Sequence, residues 1–236
     1  DIFKNNESEF IQVYKDVCSR GAFIMQSDLT DFEKNAAKYL NVDNFIGVAN
    51  GTDAIWLGLK ALGIGKSDEI IMPSHTYIAS AAAAHFVGAV PILAECGSDN
   101  MLDPDDIEKS ITKKTKAIMA VQINGRCCDM DKLIKISQKH NLFLIEDAAQ
   151  AFGAKFNDKN AGTFGEFGTF SFYPAKLLGC FGDGGAVVTN NNKLAHKLRL
   201  LRDHGRNDEG EVIEWGFNSR LDNLQAAILN KKLEKF

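Results

Sequence analysis

From about residue 28 onward, short apolar runs alternate with stretches whose apolar residues recur every three or four positions. The runs read as strands and the recurring stretches as amphipathic helices. Leu29, Phe32, Ala36 and Leu40 mark a helix over 28–40. Strands are expected at 45–49, 69–73, 90–93, 117–123, 142–146, 169–173 and 186–189. Helices are expected at 52–62 (stopped by Gly63), 78–87 (ended by Gly88), 104–110, 130–140, 193–204 and 221–236. Asp103 ahead of Pro104 supplies an N-cap and a preset first helical residue. This alternation predicts an α/β fold, a mostly parallel sheet with helices on both faces. No repeat, low-complexity segment or Pro-rich linker interrupts it. Residues 1–27 are set apart as an N-terminal arm, and 28–236 as one large domain.

Composition changes this picture little. The 236 residues are 45% hydrophobic and 25% charged, which suits a globular core. A net charge of −4 does not suggest a nucleic-acid or anionic-membrane partner. No apolar run approaches the ~20 residues of a membrane span. The start, Asp1-Ile2-Phe3-Lys4, carries no signal-peptide pattern. Five scattered cysteines argue for a reducing cytoplasm and against a disulfide framework. Cys127 and Cys128 are adjacent and lack the two-residue gap of a zinc or redox motif, so no metal site is expected.

The candidate chemistry lies in the segments between strands and helices. Ser171-Phe172-Tyr173-Pro174-Ala175-Lys176, followed by Gly182-Asp183-Gly184-Gly185, sets one lysine in an aromatic, glycine-rich loop. Leu142 to Asp147 is an apolar run that ends in a carboxylate. In an open parallel sheet that carboxylate falls at the edge where ligands bind. A lysine and an aspartate brought to one cleft suit a pyridoxal phosphate enzyme. The lysine forms a Schiff base, and the aspartate keeps the pyridine nitrogen protonated. Asn50-Gly51-Thr52-Asp53 follows a strand and opens a helix, which is either a phosphate site or an ordinary N-cap. Asp147 reads equally as an N-cap, with Gln150 as its capping-box partner. Tyr77 is either a ring that stacks on a flat heterocycle or a partly buried core residue.

Five spaced motifs carry a resemblance. They are Asn50-Gly51-Thr52-Asp53-Ala54, Pro73-Ser74-His75-Thr76-Tyr77, Glu146-Asp147-Ala148-Ala149-Gln150, Ser171 to Lys176, and Asn218-Ser219-Arg220-Leu221. In this order they resemble the sugar aminotransferase family named after DegT, DnrJ, EryC1 and StrS. The resemblance implies an aspartate-aminotransferase-like (fold type I) large domain that binds pyridoxal 5′-phosphate. It also implies a C-terminal small domain, which is expected to be missing from a chain that stops in its last helix. By resemblance, Lys176 is the Schiff-base lysine and the proton carrier, and Asp147 pairs with the pyridine nitrogen. Gln150 meets the phenolic oxygen, and Tyr77 stacks on the ring. Gly51, Thr52 and Ser171 hold the phosphate, and Asn218 reaches the phosphate of a partner subunit in a homodimer. Arg220 is a weaker candidate for an anionic group of the substrate.

The implied reaction moves an amino group from glutamate to a keto-sugar nucleotide for glycan or lipopolysaccharide sugar synthesis. The run from Phe172 through Gly185 resembles members that aminate C3. Amination at C4, and a truncated non-catalytic relative, are the alternatives. The stretch Gln122-Ile123-Asn124-Gly125-Arg126-Cys127-Cys128-Asp129-Met130 departs from a family pattern closer to His-Leu-Tyr-Gly-x-Pro-Ala-Asp-Met.

Overall fold

A computed structural model describes residues 2–236. The chain opens with α1 (Ile2–Asn5), α2 (Glu7–Arg20) and α3 (Ser27–Leu40). Next come β1 (Asn44–Val48), α4 (Gly51–Ala61), β2 (Glu69–Pro73), α5 (Ile78–Phe86) and β3 (Val90–Ala94). These lead to α6 (Pro104–Ser110), β4 (Thr115–Val121), α7 (Met130–His140) and β5 (Phe143–Asp147). A small hairpin of β6 (Lys155–Phe156) and β7 (Lys159–Asn160) precedes β8 (Phe167–Ser171), β9 (Gly185–Thr189), α8 (Asn192–Arg202) and α9 (Asn223–Leu233).

Among the described residues, seven strands form one sheet in the order β1-β9-β8-β5-β4-β2-β3. The pairs β8-β5, β5-β4, β4-β2 and β2-β3 are parallel. β9 runs against both its neighbours, β1 and β8. The expected α/β architecture is therefore present, with one reversed strand that the sequence pattern did not disclose.

The helices sit on both faces of the sheet. On one face Leu29, Phe32, Ala36 and Leu40 of α3, with Ala226 and Leu229 of α9, pack on Phe45, Phe170, Ala186 and Val188. On the other, α4, α5 and α8 bury Leu57, Leu59, Ala83, Ala84, Leu194 and Leu198 against Ile46, Phe167 and Val187. α6 adds Ile107 next to β3 and α7, and α7 adds Met130 and Leu133 beside β4 and β5. Residues 2–27 are mostly helical: α2 buries Phe10 and Val17 and packs on α9.

Local signals account for the ends of the elements. Asn50 caps α4 by accepting from the Asp53 amide at 2.8 Å. Asn141 ends α7 in the left-handed conformation. Asn157 and Asp158, both at positive φ, form the turn of the small hairpin, which the sequence reading passed over. Four expected strands are displaced, the first of them β1, at 44–48 rather than 45–49. β5 occupies 143–147 rather than 142–146, and β8 occupies 167–171 rather than 169–173. β4 stops at Val121 rather than 123 because Gln122 turns inward and Asn124 takes positive φ.

Phe32 is fully buried, edge-on to Phe45 and Phe172 with ring centroids 5.4 and 5.5 Å away. Phe32→Ala is expected to lower stability by about 3–5 kcal/mol, read as an earlier urea midpoint with an unchanged slope.

Candidate active site

The central strand β5 ends in two buried carboxylates, Glu146 and Asp147, which alternation sends to opposite faces of the sheet. Glu146 is a structural hub. Its Oε2 accepts from the Gly162 amide at 2.7 Å and from Gln122 Nε2 at 2.8 Å. Its Oε1 accepts from the Phe164 amide at 2.6 Å and the Gly165 amide at 3.3 Å. Burial pushes its pKa up, and these donors pull the other way. Gln122, the first residue of the departing stretch, also accepts the Cys128 amide at 2.8 Å. Burial pushes the Cys128 thiol up to about 12, so it stays neutral.

Asp147 faces a cleft of about 810 Å³. Its Oδ2 accepts from the Ser80 hydroxyl at 2.7 Å and its Oδ1 from the Ala149 amide at 3.1 Å. No helix follows, so the N-cap alternative gives way to a tight turn. Burial pushes the Asp147 carboxyl above its usual range. The Ser80 hydrogen bond, the Ala149 amide and the charge of Lys176 oppose that shift.

Lys176 comes from the loop between β8 and β9 and lines the same cleft. That loop is closed at its neck. The Phe172 amide donates to Gly184 O at 2.7 Å, and the Cys180 amide to Phe172 O at 2.8 Å. Its inner turn brings the Lys176 amide to Tyr173 O at 2.8 Å. A Cβ on Gly179 would lie 2.7 Å from the Tyr173 and Pro174 carbonyl oxygens, so this turn has no room for a side chain.

The N-terminus of α4 opens onto the same cleft through Gly51 and Thr52. The Asp53 amide is taken by the Asn50 side chain and the Ala54 amide by Asn50 O. The first two amides of the helix precede any intrahelical bond and favour an anion. A Cβ on Gly51 would lie 2.8 Å from Ser171 Cβ, so the helix start and the end of β8 can meet only through glycine. Thus Gly51, Thr52, Tyr77, Asp147, Gln150, Ser171 and Lys176 line one cleft, as do Thr76 and Asp183. Tyr77 is 71% exposed, which removes the core reading for its ring. Gln150 is not a capping partner; its Oε1 accepts from the Asn124 amide at 2.8 Å.

Two sequence candidates lie elsewhere. Asn218 is exposed and pairs with Asp203 through its backbone. Arg220 is held by Asp203 at 3.0 Å. Neither lines the cleft. Between them Ser219 donates to Asp53 Oδ2 at 2.6 Å and braces the start of α4. The sequence reading missed Ser80, whose one signal was a lone hydroxyl in the alanine-rich run Ile78 to Ala84. No group of three or more His, Cys, Asp or Glu is placed to hold a metal among the described residues, and none of their helices is long and apolar enough to cross a membrane.

Solved structures show the same architecture and give the class. The chain superposes on the crystal structure of Streptomyces venezuelae DesV in complex with a ketimine intermediate, with a TM-score of 0.96 and 42% identity. That match covers 99% of this chain and 63% of the other. NtdA of Bacillus subtilis with bound PMP matches at a TM-score of 0.91 and 36% identity, over 98% of this chain and 53% of that one. The fold is that of the large domain of fold-type-I pyridoxal phosphate aminotransferases. Residues 4–236 match the model of the DegT/DnrJ/EryC1/StrS aminotransferase family, and the chain belongs to that family. A dTDP-3-amino-3,4,6-trideoxy-alpha-D-glucose transaminase of Streptomyces venezuelae is 45% identical over 92% of this chain and 58% of its own length. The chain spans roughly six tenths of the length of the curated relatives it matches.

Glu146→Gln sets an amide nitrogen among backbone donors and leaves at least one of them unpaired. Thermal and urea unfolding are expected to show a loss of about 1–3 kcal/mol.

Proposed function

We propose that the protein moves an amino group from L-glutamate to a keto-sugar nucleotide, with C3 as the aminated carbon, using pyridoxal 5′-phosphate. The observation that carries this reading is the meeting of Asp147, Lys176 and the α4 N-terminus at one cleft. The residues fit the cofactor. Asp147 is a buried carboxylate that gains from a protonated pyridine nitrogen beside it. The two leading amides of α4 and the Ser171 hydroxyl suit a phosphate. Exposed Tyr77 suits a stacked ring.

When bound, the cofactor supplies an electron sink for the carbon that carries nitrogen. The chain's own groups do the rest. Gly51, Thr52 and Ser171 would bind the phosphate. Asp147 would hold a proton on the pyridine nitrogen, and Tyr77 would stack on the ring. The Gln150 amide meets the phenolic oxygen. The Lys176 amine would hold the cofactor's aldehyde carbon until the donor's amine displaces it, and once freed it would take and return the proton at the reacting carbon of the substrate.

Two further elements of the reading concern assembly and substrate. Asn218 is exposed and outside its own cleft, which supports a role at the cleft of a second copy in a homodimer. Arg220 would meet an anionic substrate group only after its pair with Asp203 opens. The Streptomyces relative, named for a 3-amino sugar nucleotide, supports C3. Nucleotide-sugar substrates and the pattern of cysteines support a cytoplasmic site of action.

Borohydride treatment with pyridoxal phosphate is expected to fix the cofactor's mass on the Lys176 peptide, and Lys176→Ala to abolish it. Turnover in Lys176→Ala is expected to fall by roughly 10²–10⁴-fold or more, the scale of a lost general acid–base. Glutamate with matched 3-keto and 4-keto nucleotide sugars tests the position. A C3 amine in the product NMR spectrum supports the reading, and a C4 amine overturns that part of it.

A further inference from the structure

Behind Asp147 lies a short line of hydroxyls that the proposed reaction does not use. Ser80 is fully buried on α5, with its Oγ 2.7 Å from Asp147 Oδ2. Thr76 Oγ1 lies 2.8 Å from Ser80 Oγ. Thr76 itself stands on the wall of the cleft. The two residues are four apart and bracket the start of α5, where Tyr77 is the N-cap. An ionised carboxylate only accepts, so the single Ser80 proton goes to Asp147. The Ser80 oxygen is then free to accept, and the Thr76 hydroxyl becomes its donor. The line runs one way, from the cleft wall through Ser80 to Asp147.

The geometry points to Thr76 and Ser80 as a two-hydroxyl relay that positions Asp147, in its ionised form, for the cofactor's pyridine nitrogen. This inference rests on the reading of the cleft given above. Packing alone does not require a hydroxyl here, because alanine occupies positions 79 and 81–84 of the same helix. The relay fixes one carboxylate oxygen from α5, while the Ala149 amide fixes the other from the turn after β5. The plane of the carboxylate is therefore set before any ligand arrives, which lowers the cost of ordering it.

The charges around Asp147 define the sign of the effect. Burial favours the neutral acid, and Ser80, Ala149 and Lys176 favour the ion. Lys176 comes from the loop after β8. Asp53 of α4, Tyr77 before α5, and Tyr173 and Asp183 of the lysine loop also line the cleft. Glu146 faces the other side of β5. A pyridinium needs ionised Asp147, so cofactor affinity is lost as pH falls through the Asp147 midpoint. Without the Ser80 donor that midpoint rises, and the loss begins at higher pH.

The test is Ser80→Ala in the intact protein, with Thr76→Val as a second variant that keeps its volume. Pyridoxal phosphate affinity is measured by fluorescence titration across pH, beside thermal unfolding. Ser80→Ala is expected to bind roughly tenfold more weakly near neutral pH, the scale of one hydrogen bond to a charged group. The acid limb of its affinity curve is expected to lie at higher pH, with Thr76→Val shifted the same way by less. An unshifted acid limb in Ser80→Ala, with or without weaker binding, overturns the relay. Should the unsubstituted protein bind no pyridoxal phosphate, the cofactor reading fails by itself. The relay is then judged by carbon NMR of Asp147 without cofactor. An upward-shifted midpoint in Ser80→Ala supports it, and an unchanged midpoint overturns it.

Discussion

Two consecutive buried carboxylates at the end of the central strand organise this molecule. A buried charge costs far more than a surface one unless donors surround it. Glu146 satisfies that demand on one face by gathering the 162–165 turn and Gln122. Asp147 meets it on the other face with fewer donors, Ser80 and the Ala149 amide. The first carboxylate is saturated and structural. The second keeps accepting capacity and faces a cleft that also holds a lysine. The period-two alternation of a strand separates the roles, so moving β5 by one residue would exchange them.

The lysine loop is placed by what lies beneath it. Phe172 is fully buried among Phe32, Phe45 and Phe152, which anchors the loop at its base. α9 holds the far side. Gln225 Oε1 accepts from the Phe181 amide at 2.8 Å, and Lys232 donates to Gly179 O. Lys232 also sits 4.6 Å from the centre of the Phe181 ring. Phe181 packs in turn on Phe10 of α2, with centroids 5.0 Å apart. Phe10, within the N-terminal arm, thus buttresses the loop that carries Lys176. Close approach through Gly51 and Gly179 completes the arrangement.

Much of the fold was legible because its periodicities are strong. The helix over 28–40 shows the 3.6-residue stripe, and α6 and α7 match their expected bounds because Asp103 and Asp129 cap them. The misplaced ends of β4 and β8 share one cause. Gln122, Gly168 and Tyr173 obey tertiary partners rather than local preference: Gln122 turns to Glu146, Gly168 lies against Gly162, and Tyr173 begins the closed lysine loop. The helices of the first 20 residues were unread because their apolar face is thin, with Phe10 and Val17 as its described buried residues.

The sequence by itself determined the alternation of strands and helices, the family to which the chain belongs, and which polar residues were candidates for chemistry. Those features are local, since spacing, caps and short motifs are written within a dozen residues. Tertiary structure decided which candidates share a cleft, and it left Asn218 and Arg220 outside it. It also decided the direction of β9, the division of labour between Glu146 and Asp147, and the partnership of Ser80 with a carboxylate 67 positions away. Such facts depend on strand order and on burial far from water. Both arise only when distant segments pack, and no local pattern encodes them.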